Sequence, residues 1–355
     1  MQVAAMMKTE KTKIWREYAN NFRKVSRFSK RDESFEKLCL EYARKLFDKN
    51  CPIIYEPQHF SALVGYSTDY LYGASNSQEL FYRTFSVPKK SSGYRIINEP
   101  LPSLKEIQRW ILDEILNQIP SHSVAKGFSK GQSIRDNAKF HRGQTIVLTL
   151  DVKNFFPSIN DKRVYRIFRS IGYSKPVSGL LTNLTTLNGE LPQGAPTSPY
   201  LSNLVFAEVD TRIFGYCRKH SVRYTRYADD LTFSGEFSPP QILNFVSKVF
   251  KEYKFKINPK KTRVMRKDTQ QLVTGIVVNE KLQSPRNIRK FLRQECYYIE
   301  KYGLEDHLLI RGVSTPNYLE RLLGMADHAL FVNPTDHNLK EIKSKLIENK
   351  KMYVT

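Results

Sequence analysis

Polar and apolar positions alternate between residues 145 and 152: Ile146, Leu148 and Leu150 fall on one side, Val147, Thr149 and Asp151 on the other. That two-residue period predicts a strand, largely buried, with Asp151 near its end. Ser221 to Arg226 and Leu231 to Ser234 are rich in β-branched and aromatic residues, and the turn-like Asp229 and Asp230 separate them, which predicts a hairpin with two carboxylates at its tip. Phe81 to Pro100 predicts another hairpin, because Pro88, Ser91, Ser92 and Gly93 interrupt two strand-like runs. Lys254 to Met265 reads as a basic strand and turn, and Leu272 to Val278 as one further strand. Apolar residues recur at helical spacing over residues 8–50, from Leu104 to Ile119, from Val164 to Ile171 with Asn160 or Asp161 as cap, from Pro240 to Tyr253 and from Asn317 to Leu330. Ala125 to His141 predicts a loop entering a helix that shows polar groups on one face; Asn137 and His141 by themselves read as a helix-packing hydrogen bond more readily than as a catalytic pair. Leu191 to Leu204 predicts a Pro- and Gly-bearing loop that passes into a helix through Ser198 and Pro199. The mixture indicates an α+β fold.

With 355 residues, 40% of them hydrophobic and 12% aromatic, the chain has material for a sizeable core and two or three lobes. Charge changes the picture more: 57 Lys and Arg against 35 Asp and Glu give a formal net charge of +22. Such an excess favours a polyanionic partner, since each neutralised phosphate releases counterions. No apolar run approaches the ~20 residues of a spanning helix, and Val3 to Met7 is too short for a secretory segment. The expectation is therefore a cytoplasmic protein with no membrane partner. Cys39, Cys51, Cys217 and Cys296 form no Cys-x-x-Cys pair, which argues against a zinc site or a disulfide framework.

Adjacent carboxylates repel, so a rigid turn carrying Asp229 and Asp230 calls for positive charge beside it, best supplied by a divalent cation with oxygen ligands. A solvated Asp-Asp turn is the alternative reading of Tyr227-Ala228-Asp229-Asp230 alone. Asp151 tips the balance: a carboxylate at the end of a buried strand is costly unless paired or metal-bound, and neighbouring antiparallel strands can bring it to the hairpin tip. Two magnesium ions roughly 3.5 to 4 Å apart would then serve an in-line displacement at phosphorus. Joined to the basic charge, this points to nucleotidyl transfer on a nucleic-acid template.

LTLDVKNFFPSI, LPQGAPTSPYLSNL, RYADDLTFSG and INPKKTRVM resemble, in this order, the successive palm motifs of reverse transcriptases over about Phe81 to Val278. The resemblance implies a right-hand polymerase fold: residues 1–80 as a basic helical region and the start of the fingers, 81–280 as fingers and an antiparallel-sheet palm, and 281–355 as a helical thumb. It implies Asp151, Asp229 and Asp230 as ligands of two Mg2+ ions, and Phe156 as an aromatic gate that excludes a ribose 2′-hydroxyl. It places Gln193 and Gly194 in the nucleotide and template pocket, Lys89 or Lys90 with Arg95 on the triphosphate, and Lys261, with Lys260 as its rival, as the group that protonates pyrophosphate. Asn137-Ala138-Lys139-Phe140-His141 and Val273-Thr274-Gly275 resemble two signatures of bacterial retron reverse transcriptases, whereas intron-derived and abortive-infection enzymes, or a non-catalytic RNA-binding scaffold, are the alternatives. The retron resemblance implies an RNA-directed DNA polymerase that uses dNTPs and copies its own structured non-coding RNA from an internal guanosine 2′-hydroxyl into branched RNA-DNA (msDNA). It also implies an anti-phage role with an associated effector protein, and template removal by a host RNase H. RNA contacts are expected from Asn137, His141, Arg286, Arg289, Lys290 and Arg293.

Overall fold

The structure, a computed structural model, describes residues 2–89, 93–312 and 317–354. These fall into two compact units interleaved in sequence: Met1–His122 with Asn154–Glu208, and Ser123–Lys153 with Val209–Thr355. The first unit opens with helices α1 (Gln2–Phe28), α2 (Glu33–Asp48), α3 (Pro57–Val64) and α4 (Thr68–Asn76). Asp32 caps α2 by accepting the Phe35 amide at 2.8 Å, and buried Ala43 and Leu46 mark its inner face. A hairpin of β1 (Tyr82–Pro88) and β2 (Tyr94–Pro100) follows, in a register that opposes Val87 to Arg95 and Phe85 to Ile97. Most of β1 is exposed, so this ribbon projects from the unit. Helix α5 (Pro102–Trp110) continues into a wider turn at Ile111–Ile115 and a tighter one at Leu116–Gln118, so the regular helix expected to reach Ile119 ends early.

The second unit begins with a loop and α6 (Ile134–Phe140), started by a capping box in which Ser133 and Asp136 satisfy each other's backbone amides. Strand β3 (Ile146–Asp151) is next. The chain returns to the first unit for α7 (Asp161–Ile171), capped by Asn160, and α8 (Lys175–Thr185); the boundary back to the second unit falls within α9 (Ser198–Lys219).

Strands β4 (Arg223–Tyr227), β5 (Asp230–Gly235) and β6 (Arg263–Arg266), with α10 (Pro239–Glu252) between β5 and β6, complete a sheet of order β4-β5-β3-β6. Its β3–β5 and β3–β6 pairs are antiparallel. Leu148, Leu150, Leu231 and Phe233 are at most 1% exposed, so the centre of this sheet is core; burying each such side chain contributes about 1.5–3 kcal/mol. Leu272 to Val278 is not one strand but a small hairpin of β7 (Leu272–Val273) and β8 (Ile276–Val277). Thr274 and Gly275 both take positive φ (47° and 82°), which fits a two-residue turn. The rest is helical: α11 (Arg286–Tyr302), α12 (Leu304–Arg311), α13 (Tyr318–Val332) and α14 (His337–Val354), around Leu292, Ile299, Leu322, Ala326 and Leu346. Within it the buried Glu295 carboxylate is held by Arg311, Tyr318 and His307, the last at 2.9 Å. Among the described residues the four cysteines are free, and no helix is long and apolar enough to cross a membrane.

Candidate active site

Pairing of β3 with β5 sets Asp151 directly opposite Asp230. Tyr227 opposes Asp230 in the β4–β5 pair, so the turn itself is Ala228–Asp229 and Asp230 is already the first residue of β5. Cross-strand neighbours lie about 4.5–5.5 Å apart at Cβ, and each of Asp151, Asp229 and Asp230 offers an oxygen within 4.8 Å of the other two. Backbone bonds lock the arrangement: the Val152 amide donates to Asp229 O at 2.9 Å and the Asn258 amide to Asp151 O at 2.8 Å. Asp151 is buried, Asp229 half-buried and Asp230 open to solvent at the mouth.

Charge is concentrated here. Partial withdrawal from water, then the Asp229 and Asp151 charges, push the Asp230 carboxyl up to about 6, against the pull of Lys261. Lys261 Nζ sits 2.6 Å from Asp151 Oδ2, and this bond raises its pKa above the ordinary lysine value. Asn258 Nδ2 donates to the other oxygen, Oδ1, at 3.0 Å. The donor set of three converging carboxylates and one ammonium suits a hard divalent cation, which accepts a few carboxylates and fills its shell with water and phosphate oxygens. Lys260 is exposed, and only Lys261 of the two reaches Asp151.

The other expected residues fall in different places. Lys89 and Arg95 are exposed near the end of the β1–β2 ribbon, whereas Lys90 lies outside the described residues. Gln193 and Gly194 dock on the same ribbon: the Asn98 amide donates to Gln193 O at 2.8 Å, and a Cβ on Gly194, whose φ is +129°, would stand 2.8 Å from Asn98 O. Only glycine is relaxed there. Phe156 is half-buried beside Phe155, which packs edge-on against Phe206. On α11, Arg286, Lys290 and Arg293 are exposed, while Arg289 is half-buried and donates to Ser284 O at 3.2 Å.

Asn137 and His141, expected as RNA contacts, lie in the interior. Both are 0% exposed. His141 bonds Ser234 and Thr225 hydroxyls, each at 2.7 Å, and Thr225 donates to Asn137 at 2.6 Å. Burial pushes the imidazole down to about 3, so it is neutral. The pair fastens α6 to β4 and β5, with both side chains closed to solvent.

Three positions beside the site were not singled out from sequence: Asn258, Asp210 and Arg226. Arg226 on β4 and Asp210 on α9 form an ion pair in which both side chains are 0% exposed. Removing one member of such a pair costs about 3–5 kcal/mol, because the other charge stays buried. The available signal was a charge of each sign, Asp210 in LVFAEVD and Arg226 in VRYTRY, inside otherwise inward-facing elements.

Comparison with known proteins gives a family model, described as reverse transcriptase (RNA-dependent DNA polymerase), that matches residues 87–289. The retron Mx65 reverse transcriptase of Myxococcus xanthus is 38% identical over 232 residues, 60% of this chain; the match spans only 54% of that relative's length. The retron Ec86 reverse transcriptase of Escherichia coli is 37% identical over 223 residues, 61% of this chain and 70% of the relative. A solved structure of telomerase from Candida albicans with a fragment of telomeric RNA aligns over 76% of this chain and 54% of its own, at 13% identity and a TM-score of 0.47.

Proposed function

The chain belongs to the reverse transcriptase family, among the retron reverse transcriptases, and from that premise we propose that it is an RNA-directed DNA polymerase. The observation that carries this reading is the cross-strand pairing of Asp151 with Asp230, with Asp229 in the adjoining turn. Asp151, Asp229 and Asp230 would hold divalent cations, two Mg2+ in our reading. Bound there, the cations would supply Lewis-acid activation of the primer hydroxyl and neutralise charge on the departing pyrophosphate.

The chain's own residues do the rest. Asn258 and Lys261 each occupy one oxygen of Asp151 and so fix the orientation of its carboxylate. Lys261, exposed over more than half of its side chain, can swing from Asp151 to donate a proton to the leaving pyrophosphate. Lys89 and Arg95 bind the triphosphate, Gln193 and Gly194 line the nucleotide pocket, and Phe156 presents a flat ring that rejects a ribose 2′-hydroxyl. The helices from Arg286 onward form a thumb that grips RNA and the template–product duplex by phosphate and shape.

In the retron reading the enzyme primes from an internal guanosine 2′-hydroxyl of its own structured RNA, leaves msDNA, relies on a host RNase H, and works in anti-phage defence with an effector protein. Two assays test these levels separately. Asp229→Asn with Asp230→Asn should abolish extension of an annealed primer while RNA binding persists; undiminished extension would remove the polymerase assignment. Nucleic acid that copurifies should, after RNase, contain a short DNA whose mobility shifts on 2′-5′ debranching. Linear DNA alone would keep the polymerase and exclude retron-type priming.

A further inference from the structure

The turn that carries Asp229 is gripped from two directions by buried parts of the chain. Arg226 is fully buried one residue before Tyr227. Its Nε and Nη2 donate to Asp210, the closest bond 2.6 Å from Nη2 to Oδ2, while Nη1 donates to the carbonyl of Ala228 at 3.0 Å. A guanidinium is planar and rigid, so anchoring one edge on Asp210 aims the remaining N–H. It aims at Ala228, whose φ of +57° lies in the left-handed region that a non-glycine residue keeps only when its surroundings impose it.

From the other side, residues 124–127 run against β4. The Arg226 amide donates to Val124 O at 2.8 Å and the Lys126 amide to Arg226 O at 2.7 Å, and Ser129 Oγ closes the loop by donating to Ala125 O at 2.9 Å. The next residue, Gly127, lies so close to the turn that a Cβ there would stand 2.5 Å from Ala228 N and 3.1 Å from Tyr227 C. Those are backbone atoms, and no rotamer can relieve the clash.

We propose that the Asp210–Arg226 pair and the Gly127 loop form a two-sided clamp that sets the position of the Ala228–Asp229 turn. Arg226, Asp210 and Gly127 are then positioning residues for divalent-cation binding and nucleotidyl transfer. The physical need is evident in the site itself. Three carboxylates within 4.8 Å repel one another, and a two-residue turn at a sheet edge is the part of the site freest to yield. Stability alone does not call for the ion pair, since apolar residues of similar volume hold such cores equally well; a methionine, however, cannot donate to the Ala228 carbonyl.

The proposal rests on the polymerase reading above, so its test includes readouts independent of activity. Asp210→Leu with Arg226→Met removes both charges together and fills the space. Gly127→Ala pushes on the turn from the opposite side. Both variants should keep their circular dichroism and their affinity for an annealed template–primer. Mn2+ affinity, measured by calorimetry on protein free of nucleic acid, should fall about tenfold, and hydrogen exchange in the 224–232 peptide should accelerate. Single-turnover kcat should drop on the order of 100-fold, as misplacement by about 1 Å can do, with KM for dNTP changed less than about threefold.

Should the double variant not fold, Arg226→Lys keeps the buried charges balanced yet lacks the fork that reaches both acceptors, and the same three losses are expected. A folded variant with wild-type Mn2+ affinity, exchange and kcat overturns the clamp. If wild-type protein extends no primer, the polymerase reading fails, while Mn2+ affinity and exchange still decide the clamp.

Discussion

Asp230 carries the most consequential ionisation at the site. Its carboxyl stands at about 6, above the ordinary 3.8, so the charged form is disfavoured in metal-free protein. A raised folded value means that its contribution to stability is complete below pH 3.8 and is lost as pH rises through 6. A divalent cation takes the charged form, so Mg2+ should raise Tm more at about pH 7 than at about pH 5, and Asp230→Asn should flatten that difference; differential scanning fluorimetry reads both. Equal Mg2+ shifts at the two pH values would separate Asp230 from metal binding. Phe156→Ala should improve the use of rNTP relative to dNTP by roughly 10- to 200-fold, the range of discrimination worth about 1–3 kcal/mol. Single-nucleotide incorporation measures it, and unchanged sugar selectivity would reject the gate. At this scale sequence was most informative where chemistry is local. The Asp-Asp turn reads equally as a solvated one until Asp151 is set beside it, whereas Asn258 matters through Asp151, 107 residues away, and Arg226 through Asp210, on a different element 16 residues earlier.

Elements were legible where their period was unbroken. The alternation over β3 and the interrupted runs of the β1–β2 ribbon predicted strands that the fold contains. Legibility failed at Leu272 to Val278, where two left-handed residues fold an apolar run into a hairpin; neither threonine nor a single glycine signals such a turn strongly. For Asn137 and His141 the residues by themselves read as a helix-packing hydrogen bond, which their burial matches, whereas the RNA contact expected of them does not follow from that pattern. Their burial makes α6 a structural buttress of β4 and β5. His141→Ala should cost about 1–3 kcal/mol by orphaning the Ser234 hydroxyl and leaving Thr225 with Asn137 as its remaining partner, seen in urea unfolding, and leave RNA affinity within error of wild type. A selective loss of RNA binding at unchanged stability would reverse that assignment.

On the scale of the whole molecule, the charge of +22 was the clearest indication of a polyanionic partner, although composition cannot say where the charge gathers. On α11 the side chains of Arg286, Lys290 and Arg293 are exposed and make no ion pair among the described residues, whereas Arg289 is engaged with Ser284. Changing the three together to glutamine should weaken RNA binding at every salt concentration. It should also flatten the slope of log affinity against log salt by about 0.7 to 0.9 for each phosphate that is no longer neutralised. Fluorescence anisotropy over a salt series decides it; an unchanged slope would move the RNA-binding surface away from α11.

The strand order β4-β5-β3-β6 has a consequence for the making of the protein. One of its two inner strands, Ile-Val-Leu-Thr-Leu-Asp, leaves the ribosome before the other three, and its neighbours begin only at Asp230 and Arg263. At about 5–20 residues per second, translation leaves β3 without either lateral partner for several seconds or longer. During that interval both edges of a sticky apolar segment are open to other nascent chains. The burden on the cell's chaperones should therefore peak while residues between Asp151 and the Asp229–Asp230 pair are being synthesised.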